Sequence, residues 1–345
     1  MARIVLADDG IEFDGESPAK GPLGGVESSI VNLTRELASR GHEVSVRNMC
    51  SAAKIIDGVT WQPLSKGLPE TADLYIANRG DKLLPLMPGA ARTVFWTHNP
   101  AGYLLKWRYL SKLWRLKPTI IFIGDYHATT YPAWAPGGER VVIPYGISND
   151  FCAVPELENP PPPRAIFTSN PLRSLDWLLE IWAKDIQPKV PNAELHLFSG
   201  ATTYGRIGAT KSADMEAILD RARVLTDQGV VLRDPVPKQQ LIGEFQKARV
   251  MLYKGDENET FCLAVGEAQA TGIPAVVQKY GSVVERVIDD QTGVIARGDI
   301  EFAEAAVKLL KDDTHWRDYH MSAQRLQRSW GWREAAQAFE ELLLS

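Results

Sequence analysis

The sequence predicts an α/β protein of two domains, each built on a parallel sheet. Short apolar runs alternate with longer stretches of helical spacing, which indicates βαβ units. This alternation stops at four consecutive prolines, residues 160–163, and then starts again. A chain of 345 residues also has room for two domains of about 150 residues each.

In the first half, residues 3–7 are the first buried-strand candidate. A loop ending at Gly24 and Gly25 follows, and apolar residues then recur at helical spacing from Val26 to Leu37. The remaining strand candidates of this half are 42–46, 74–77, 93–96, 120–123 and 141–143.

The proline run cannot be helix or central strand, so it predicts a stiff, extended connector. The strand candidates after it are 165–168, 195–198, 230–232, 250–253 and 275–277, with helical patterns over 176–186 and 238–248. Roughly the last 50 residues show only helical periodicity. We therefore predict an N-terminal domain over 1–158, a linker over 159–164 and a second domain over 165–325. A terminal helix over 326–345 is free to pack back on the N-terminal domain.

Composition excludes several classes of protein. The net charge of −5 argues against a general nucleic-acid binder. Cys50, Cys152 and Cys262 are far apart and form no CxxC pair, so neither a zinc site nor a disulfide framework is expected. The start lacks the pattern of a signal peptide, and no run approaches the ~20 apolar residues of a membrane span. These features predict a cytoplasmic protein, soluble or attached to a membrane surface.

The most informative segment is VMLYKGDENETFCLAVGEAQATGIPAVV, residues 250–277. It reads as strand, polar loop, helix, stop and strand, with Thr260 as a candidate cap for the helix. A glycine followed two residues later by a proline ends that helix. Glu259 then lies just before the helix, and Glu267 lies roughly two turns into it at 3.6 residues per turn.

This arrangement suits a phosphorylated sugar ligand. Backbone amides at Phe261, Cys262 and Leu263 can bind a phosphate or a sugar hydroxyl at the helix start. Glu267 can accept hydrogen bonds from two adjacent ribose hydroxyls, and Glu259 can act on the transferred sugar. Each glutamate alone is more often a solvated carboxylate. Glu267, however, lies on a helix that is apolar nearly all round, where a buried acid needs partners, so the pattern favours function.

The segment ETFCLAVGEAQATGIPAVV closely resembles the glutamate-x7-glutamate signature of retaining glycosyltransferases of family 4, the group 1 type. The resemblance continues over 283–296, over VIPYGI at 142–147 and in the early GGV loop, and covers nearly the whole chain. It implies a GT-B fold of two Rossmann-like domains facing across a cleft. It also implies a nucleotide-diphosphate sugar donor, transfer to an acceptor hydroxyl with retention, and no metal or other cofactor. Glu267 would bind the ribose and Glu259 would lie beside the donor sugar.

The donor diphosphate needs cations. Relatives carry an arginine and a lysine after the first strand of the second domain; Arg173 fits the lysine position and can grip the diphosphate in bidentate fashion. The arginine position falls near Ser169 or Asn170, which is a departure from the family pattern. Lys254 is a candidate for a supplementary cation. The alternative reading of Arg173 is an ordinary residue at a helix entry.

Two positions in the N-terminal domain are further candidates. Gly24 and Gly25 let the backbone approach a ligand closely, and the resemblance suggests contact with the diphosphate or the acceptor. No GxGxxG occurs, so a nicotinamide site is not supported. His98 follows the apolar run TVFWT, and the resemblance places it beside the donor sugar or at the reaction centre; a hydrogen-bonded core histidine is the alternative.

Residues 103–118, YLLKWRYLSKLWRLKP, combine aromatic and basic side chains within an acidic protein. A helix lying in a membrane interface has this composition, and so has a helix that packs its aromatics inward with its cations in water. The first reading would attach the protein to the inner face of the membrane and would fit a lipid-linked acceptor. The second leaves a sugar or another small molecule as the acceptor.

Two other functions are also compatible with the sequence. A GT-B relative acting as a nucleotide-sugar epimerase or a sugar phosphorylase would not transfer to an acceptor hydroxyl. A catalytically silent GT-B module would bind glycans or proteins only. The presence of both glutamates argues against the silent module.

Overall fold

The computed structural model describes residues 1–21, 23–200 and 212–344. The chain forms two compact units, Met1–Gly146 with Trp330–Ser345 (unit 1) and Ile147–Ser329 (unit 2). The sequence places the change of domain at the prolines, whereas residues 147–158 pack with unit 2. Buried Phe151 explains this, because its ring lies 6.1 Å from that of Phe245 in the same unit.

The α-helices of the described residues are, in chain order, α1 Ser17–Lys20, α2 Gly25–Ser39, α3 Trp107–Leu116, α4 Asp125–Thr129, α5 Asn149–Cys152, α6 Leu175–Ile181, α7 Ser212–Val224, α8 Lys238–Phe245, α9 Leu263–Ala270, α10 Asp299–Lys311, α11 Asp313–Leu326 and α12 Trp332–Glu341.

Unit 1 contains a sheet whose strands are β1 Arg3–Asp8, β2 Glu43–Asn48, β3 Lys54–Ile56, β4 Val59–Pro63, β5 Ala72–Asn78, β6 Ala90–Trp96, β7 Thr119–Phe122 and β8 Arg140–Val142. Their order is β3-β4-β2-β1-β5-β6-β7-β8, with β3 and β4 antiparallel and the other pairs parallel. The predicted strands are all present, and β3 and β4 were missed. The terminal helix α12 packs against α2, and the ring of Phe339 lies 5.3 Å from that of Trp96.

Unit 2 contains a second, parallel sheet. Its strands are β9 Arg164–Phe167, β10 Glu194–Phe198, β11 Val230–Arg233, β12 Val250–Tyr253, β13 Ala275–Gln278 and β14 Gly293–Ala296, in the order β11-β10-β9-β12-β13-β14. The sequence predicted five of these strands and missed β14. The predicted α/β fold with two parallel-sheet domains is therefore confirmed.

The two sheets place the candidate residues at the carboxyl ends of neighbouring strands, where ligands of open α/β sheets bind. In unit 1, β1, β5 and β6 are adjacent, and Asp8, Asn78 and His98 stand at or just beyond their ends. In unit 2, β9 is adjacent to β12, so the loop carrying Arg173 and the loop carrying Glu259 come together.

Candidate functional site

The helix after β12 starts later than the sequence suggested. Its cap position is held by Cys262, not by Thr260, and Cys262 has a φ of 63° in the left-handed region. The helix, α9, therefore begins at Leu263, and Glu267 lies a little over one turn into it rather than two. The predicted stop is confirmed: α9 ends at Ala270, and Gly272 has a φ of 93°.

Glu259 lies at the centre of a buried polar cluster. One carboxylate oxygen is paired with the guanidinium of Arg173, and the other accepts a hydrogen bond from the hydroxyl of Tyr253. Burial raises the pKa of Glu259; Arg173, Tyr253 and the thiol of Cys262 oppose that rise. Burial likewise raises the pKa of Tyr253. Glu259 is thus fixed in position by its partners, which a solvated loop carboxylate would not be.

Glu267 is buried on α9, with 7% of its side chain exposed, and its partner is a lysine from another element. The ammonium group of Lys238, the first residue of α8, donates to Oε2 of Glu267. The same ammonium lies 5.7 Å from the ring centroid of Phe151. Lys238 was not among the predicted residues, since a contact between positions 29 residues apart leaves no local pattern in the sequence.

The loop after β9 presents Arg173 at the entry of α6. The carbonyl of Ser169 accepts a hydrogen bond from the Ser199 hydroxyl at 2.6 Å. Asn170 shapes the turn, because its Oδ1 accepts from the Leu172 amide at 2.9 Å and its carbonyl accepts from the Arg173 amide at 2.9 Å. Ser169 and Asn170 therefore lie close to Arg173 in the chain and in the loop.

Lys254 has a different environment from Arg173 and Lys238, the two cations that pair with the glutamates. Its ammonium lies 4.6 Å from the ring centroid of Trp177 and 5.2 Å from that of Tyr280. Arg173 and Lys238 supply the cations paired with Glu259 and Glu267. In the described residues Lys254 thus makes cation–π contacts with two aromatic rings instead.

His98 lies in a buried hydrogen-bonded chain within unit 1. The amide nitrogen of Asn78 donates to Asp8, so the Asn78 oxygen is an acceptor for the Nε2–H of His98. Nδ1 of His98 then accepts from the hydroxyl of Tyr145. Burial lowers the pKa of His98 well below its ordinary value. The neutral ring has both nitrogens committed to protein partners, which favours a positioning role.

Gly24 and Gly25 stand at the start of α2, as predicted, but that end already holds a carboxylate. A methyl group on Gly24 would lie 2.4 Å from Oε2 of Glu27, a buried residue of the first turn. Arg79 donates to Glu27 at 2.9 Å and pairs with Asp8 at 3.1 Å. An anion at this helix start would therefore meet a negative group, whereas a hydroxyl would meet an acceptor.

A cavity of about 450 Å³ opens at this edge of the sheet in unit 1. Its lining mixes carboxylate, amide, cationic and aromatic side chains with two glycines: Asp9, Gly10, Arg79, Gly80, Asp81, Lys82, Asn99, Tyr103, Arg108 and Tyr109. Hydrogen-bonding groups combined with tyrosine rings are suited to a polyhydroxylated molecule.

The basic aromatic segment 103–118 contains α3, which divides its aromatic side chains between two faces. Tyr109 and Leu113 are buried, and Lys112 pairs with Asp81 at 2.6 Å. Trp107 and Trp114, seven residues apart, are 80% and 71% exposed. Neither prediction for this segment is therefore complete, because the tyrosine packs inward while both tryptophans point to solvent.

Across 1–21, 23–200 and 212–344, no group of three or more His, Cys, Asp or Glu side chains could hold a metal ion. Within the same ranges, none of the helices has both the length and the apolar character needed to cross a membrane.

Part of the chain is similar in sequence to known glycosyltransferases. The family model of glycosyl transferases group 1 matches residues 163–312. D-inositol 3-phosphate glycosyltransferase of Corynebacterium diphtheriae is 33% identical over 111 residues, 32% of this chain and 26% of that protein. The enzyme of the same name from Arthrobacter sp. (strain FB24) is 27% identical over 137 residues, 39% of this chain and 32% of its own. The chain thus spans about a fifth to a third of the curated relatives it matches.

Solved structures extend the likeness in fold to the whole chain. Sucrose-phosphate synthase from Thermosynechococcus elongatus superposes with a TM-score of 0.73 at 15% identity, covering 99% of this chain and 98% of that one. Anabaena Alr3699/HepE, solved with UDP and glucose, gives 0.70 at 14% identity over 100% of both chains. The architecture is therefore that of the GT-B class. Within that class, the match over 163–312 confirms the predicted resemblance to the group 1 glycosyltransferases.

Proposed function

We propose that this chain is a glycosyltransferase that moves a hexosyl group from a nucleoside-diphosphate sugar to an acceptor hydroxyl, with retention of anomeric configuration. The observation that carries the proposal is the pair of buried carboxylates before and within α9. Glu259 and Glu267 each have a cationic partner from a separate element, Arg173 and Lys238. Both pairs lie inside the region that matches the group 1 family.

The donor binds to unit 2 in this proposal. Arg173, 32% exposed in its side chain, contacts the diphosphate together with Ser169, Asn170 and the amides of Phe261, Cys262 and Leu263. Glu267 accepts hydrogen bonds from the ribose hydroxyls. UDP-sugars are the first donors to test, because the Anabaena structures contain UDP, glucose and UDP-glucose.

At the reaction centre, Glu259 binds a hydroxyl of the transferred sugar or stabilises charge that develops at its anomeric carbon. The acceptor oxygen forms a bond to that carbon on the face from which the phosphate oxygen departs. The acceptor proton moves to the leaving phosphate. Arg173 and the start of α9 supply the positive potential, so neither a metal nor another cofactor takes part in the proposed reaction.

Unit 1 supplies the acceptor site. The cavity lined by Asp9, Asp81 and Tyr103 fits a sugar, an inositol-like polyol or another small polyhydroxylated molecule. Gly24 and Gly25 contribute close backbone contacts to a hydroxyl rather than to phosphate, since Glu27 covers the start of α2. His98 orients its neighbours Asn78 and Tyr145 instead of transferring a proton.

The outward face of α3 makes peripheral contact with an anionic membrane surface, which would suit a lipid-linked acceptor. Trp107 and Trp114 are the side chains that would enter the interface, beside Arg108 and Arg115. Sedimentation with anionic vesicles tests this contact: W107A/W114A should reduce binding severalfold. W134A is the matched control, because Trp134 is also exposed in unit 1 but lies outside α3. Equal binding by all three proteins would contradict the contact.

A thermal-shift screen of UDP, ADP, GDP and their sugars tests the donor assignment, because a ligand bound only by the folded state raises the unfolding temperature. The stabilising sugar nucleotide is then incubated alone and with candidate polyols. Acceptor-dependent release of the nucleotide supports transfer, and anomeric proton couplings of donor and product report retention. Conversion of the donor alone would identify an epimerase, and absence of any nucleotide binding would overturn the proposal.

A further inference from the structure

Among the described residues, Lys238 provides the one side-chain partner of Glu267, the proposed ribose-binding glutamate. The lysine contacts only one of the two carboxylate oxygens. Its ammonium donates to Oε2 of Glu267. No hydrogen bond to Oε1 of Glu267 comes from residues 1–21, 23–200 or 212–344. A carboxylate can accept about four hydrogen bonds, so this one keeps unused capacity.

The lysine itself is fixed in position. It is the first residue of α8, directly after Pro237. Its ammonium lies over the buried ring of Phe151, at 5.7 Å from the centroid, within the range of a cation–π contact. The next residue, Gln239, donates to Asp150 at 2.9 Å. Two consecutive residues of α8 are therefore attached to α5.

The burial of the pair is unequal. Glu267 has 7% of its side chain exposed and Lys238 has 38%. Burying a carboxylate is costly unless a charge or hydrogen-bond donors compensate for the lost water. Its neighbours on α9, such as Val265, Ala268 and Ala270, are apolar and buried, so they provide no such compensation.

We infer that Lys238 is a positioning residue for ribose recognition: it orients the Glu267 carboxylate, with one oxygen directed to the ribose hydroxyls. This inference rests on the proposed function and adds to it a residue from outside the glutamate motif. Lys238 acts through Glu267, so removing the lysine side chain should weaken recognition of the ribose more than recognition of the base or the phosphates.

The test is a comparison of ribose and 2′-deoxyribose ligands by calorimetry. The wild-type protein should bind UDP about tenfold more tightly than 2′-deoxy-UDP, the difference made by one hydrogen bond to a charged group. In K238M this preference should fall to about twofold, with UDP itself bound about tenfold more weakly. K238R should restore most of the preference. If ADP or GDP is the ligand that stabilises the protein, it is compared with its own 2′-deoxy form.

The control is K247M, which removes an exposed lysine whose ammonium pairs with Glu244 of α8 and should leave both affinities unchanged. Unfolding temperatures of all variants establish that they are folded. Equal weakening of UDP and 2′-deoxy-UDP in K238M would overturn the inference, because Lys238 would then act on the base or the phosphates. Tighter binding in K238M would also overturn it, by making the lysine a competitor of the ribose. If no nucleoside diphosphate binds the wild-type protein, the proposed function itself fails, and this inference with it.

Discussion

The two units each hold a buried polar cluster beyond the ends of central strands, but the clusters differ in how they are completed. In unit 1, Asp8, Asn78, His98 and Tyr145 form a chain in which both nitrogens of the imidazole have protein partners. In unit 2, the partner of the buried Glu259 is a cation that remains about one-third exposed. In the unit 1 cluster the polar groups are paired with one another, which suits a structural role. In the unit 2 cluster the charge of Arg173 stays near the surface, where a ligand can reach it.

This contrast predicts that removing the charge of Glu259 has the largest effect, and that the effect is on turnover. E259Q keeps the size of the side chain and its contact with Tyr253 but cannot stabilise positive charge at the anomeric carbon. We expect kcat to fall about 100- to 1,000-fold with donor affinity nearly unchanged, measured by nucleotide release and calorimetry. Preserved turnover with normal donor binding would remove Glu259 from the reaction centre.

The next effect is on nucleotide affinity. E267A removes the acceptor for the ribose hydroxyls and should weaken binding of the nucleoside diphosphate about 100-fold, since hydrogen bonds to charged groups contribute about 1.5–3 kcal/mol each. Lys238 then faces water with its charge, so the unfolding temperature should change little. Unchanged affinity in calorimetry would contradict the ribose assignment.

A third prediction concerns stability in unit 1. Y145F leaves Nδ1 of the buried His98 without a donor from that hydroxyl, and an unsatisfied buried group costs about 1–3 kcal/mol. We expect urea unfolding to show a loss of about 2 kcal/mol, while kcat of the folded enzyme stays within about twofold. Y280F is the control, because Tyr280 is partly exposed. A large loss of kcat without a loss of stability would make His98 a catalytic residue after all.

The sequence predicted the local structure around Glu259 and Glu267 better than the contacts of the unit 1 cluster, for a physical reason. Glu259 and the helix that carries Glu267 lie in one strand–helix–strand segment, whose periodicity and stop residues are local properties of the chain. Val250–Tyr253 was predicted with its observed bounds. The start of α9 was misplaced because Thr260 suits a cap, whereas the backbone turns at Cys262.

What the sequence did not predict depends on contacts between distant elements. Lys238 reaches Glu267 from 29 positions away, and Tyr145 reaches His98 from 47. Such contacts depend on the order of the strands in a sheet. Hydrophobic periodicity does not predict that order. The missed strands β3, β4 and β14 each bury at most two residues.

The smallest predicted effect tests whether the remaining charges of unit 1 are also structural. Glu340 of α12 accepts hydrogen bonds from Arg40 at 2.7 and 2.6 Å and pairs with His42 at 2.8 Å. The hydrogen bonds from Arg40, and then those from His42, lower the pKa of Glu340 to about 2 from an ordinary value of 4.5. The stabilisation is therefore complete above pH 4.5 and is lost as the pH falls toward 2.

Because the pair is partly exposed, we expect E340Q to cost only about 1 kcal/mol at pH 7, with the difference from wild type shrinking below pH 4.5. Urea unfolding at pH 7, 5 and 4 measures this difference, and E341Q at the neighbouring position of α12 is the control. Nucleotide affinity should not change in E340Q. A change there would show that the contacts of α12 with the rest of unit 1 influence the donor site of unit 2, and the division into a structural and a ligand-directed cluster would no longer hold.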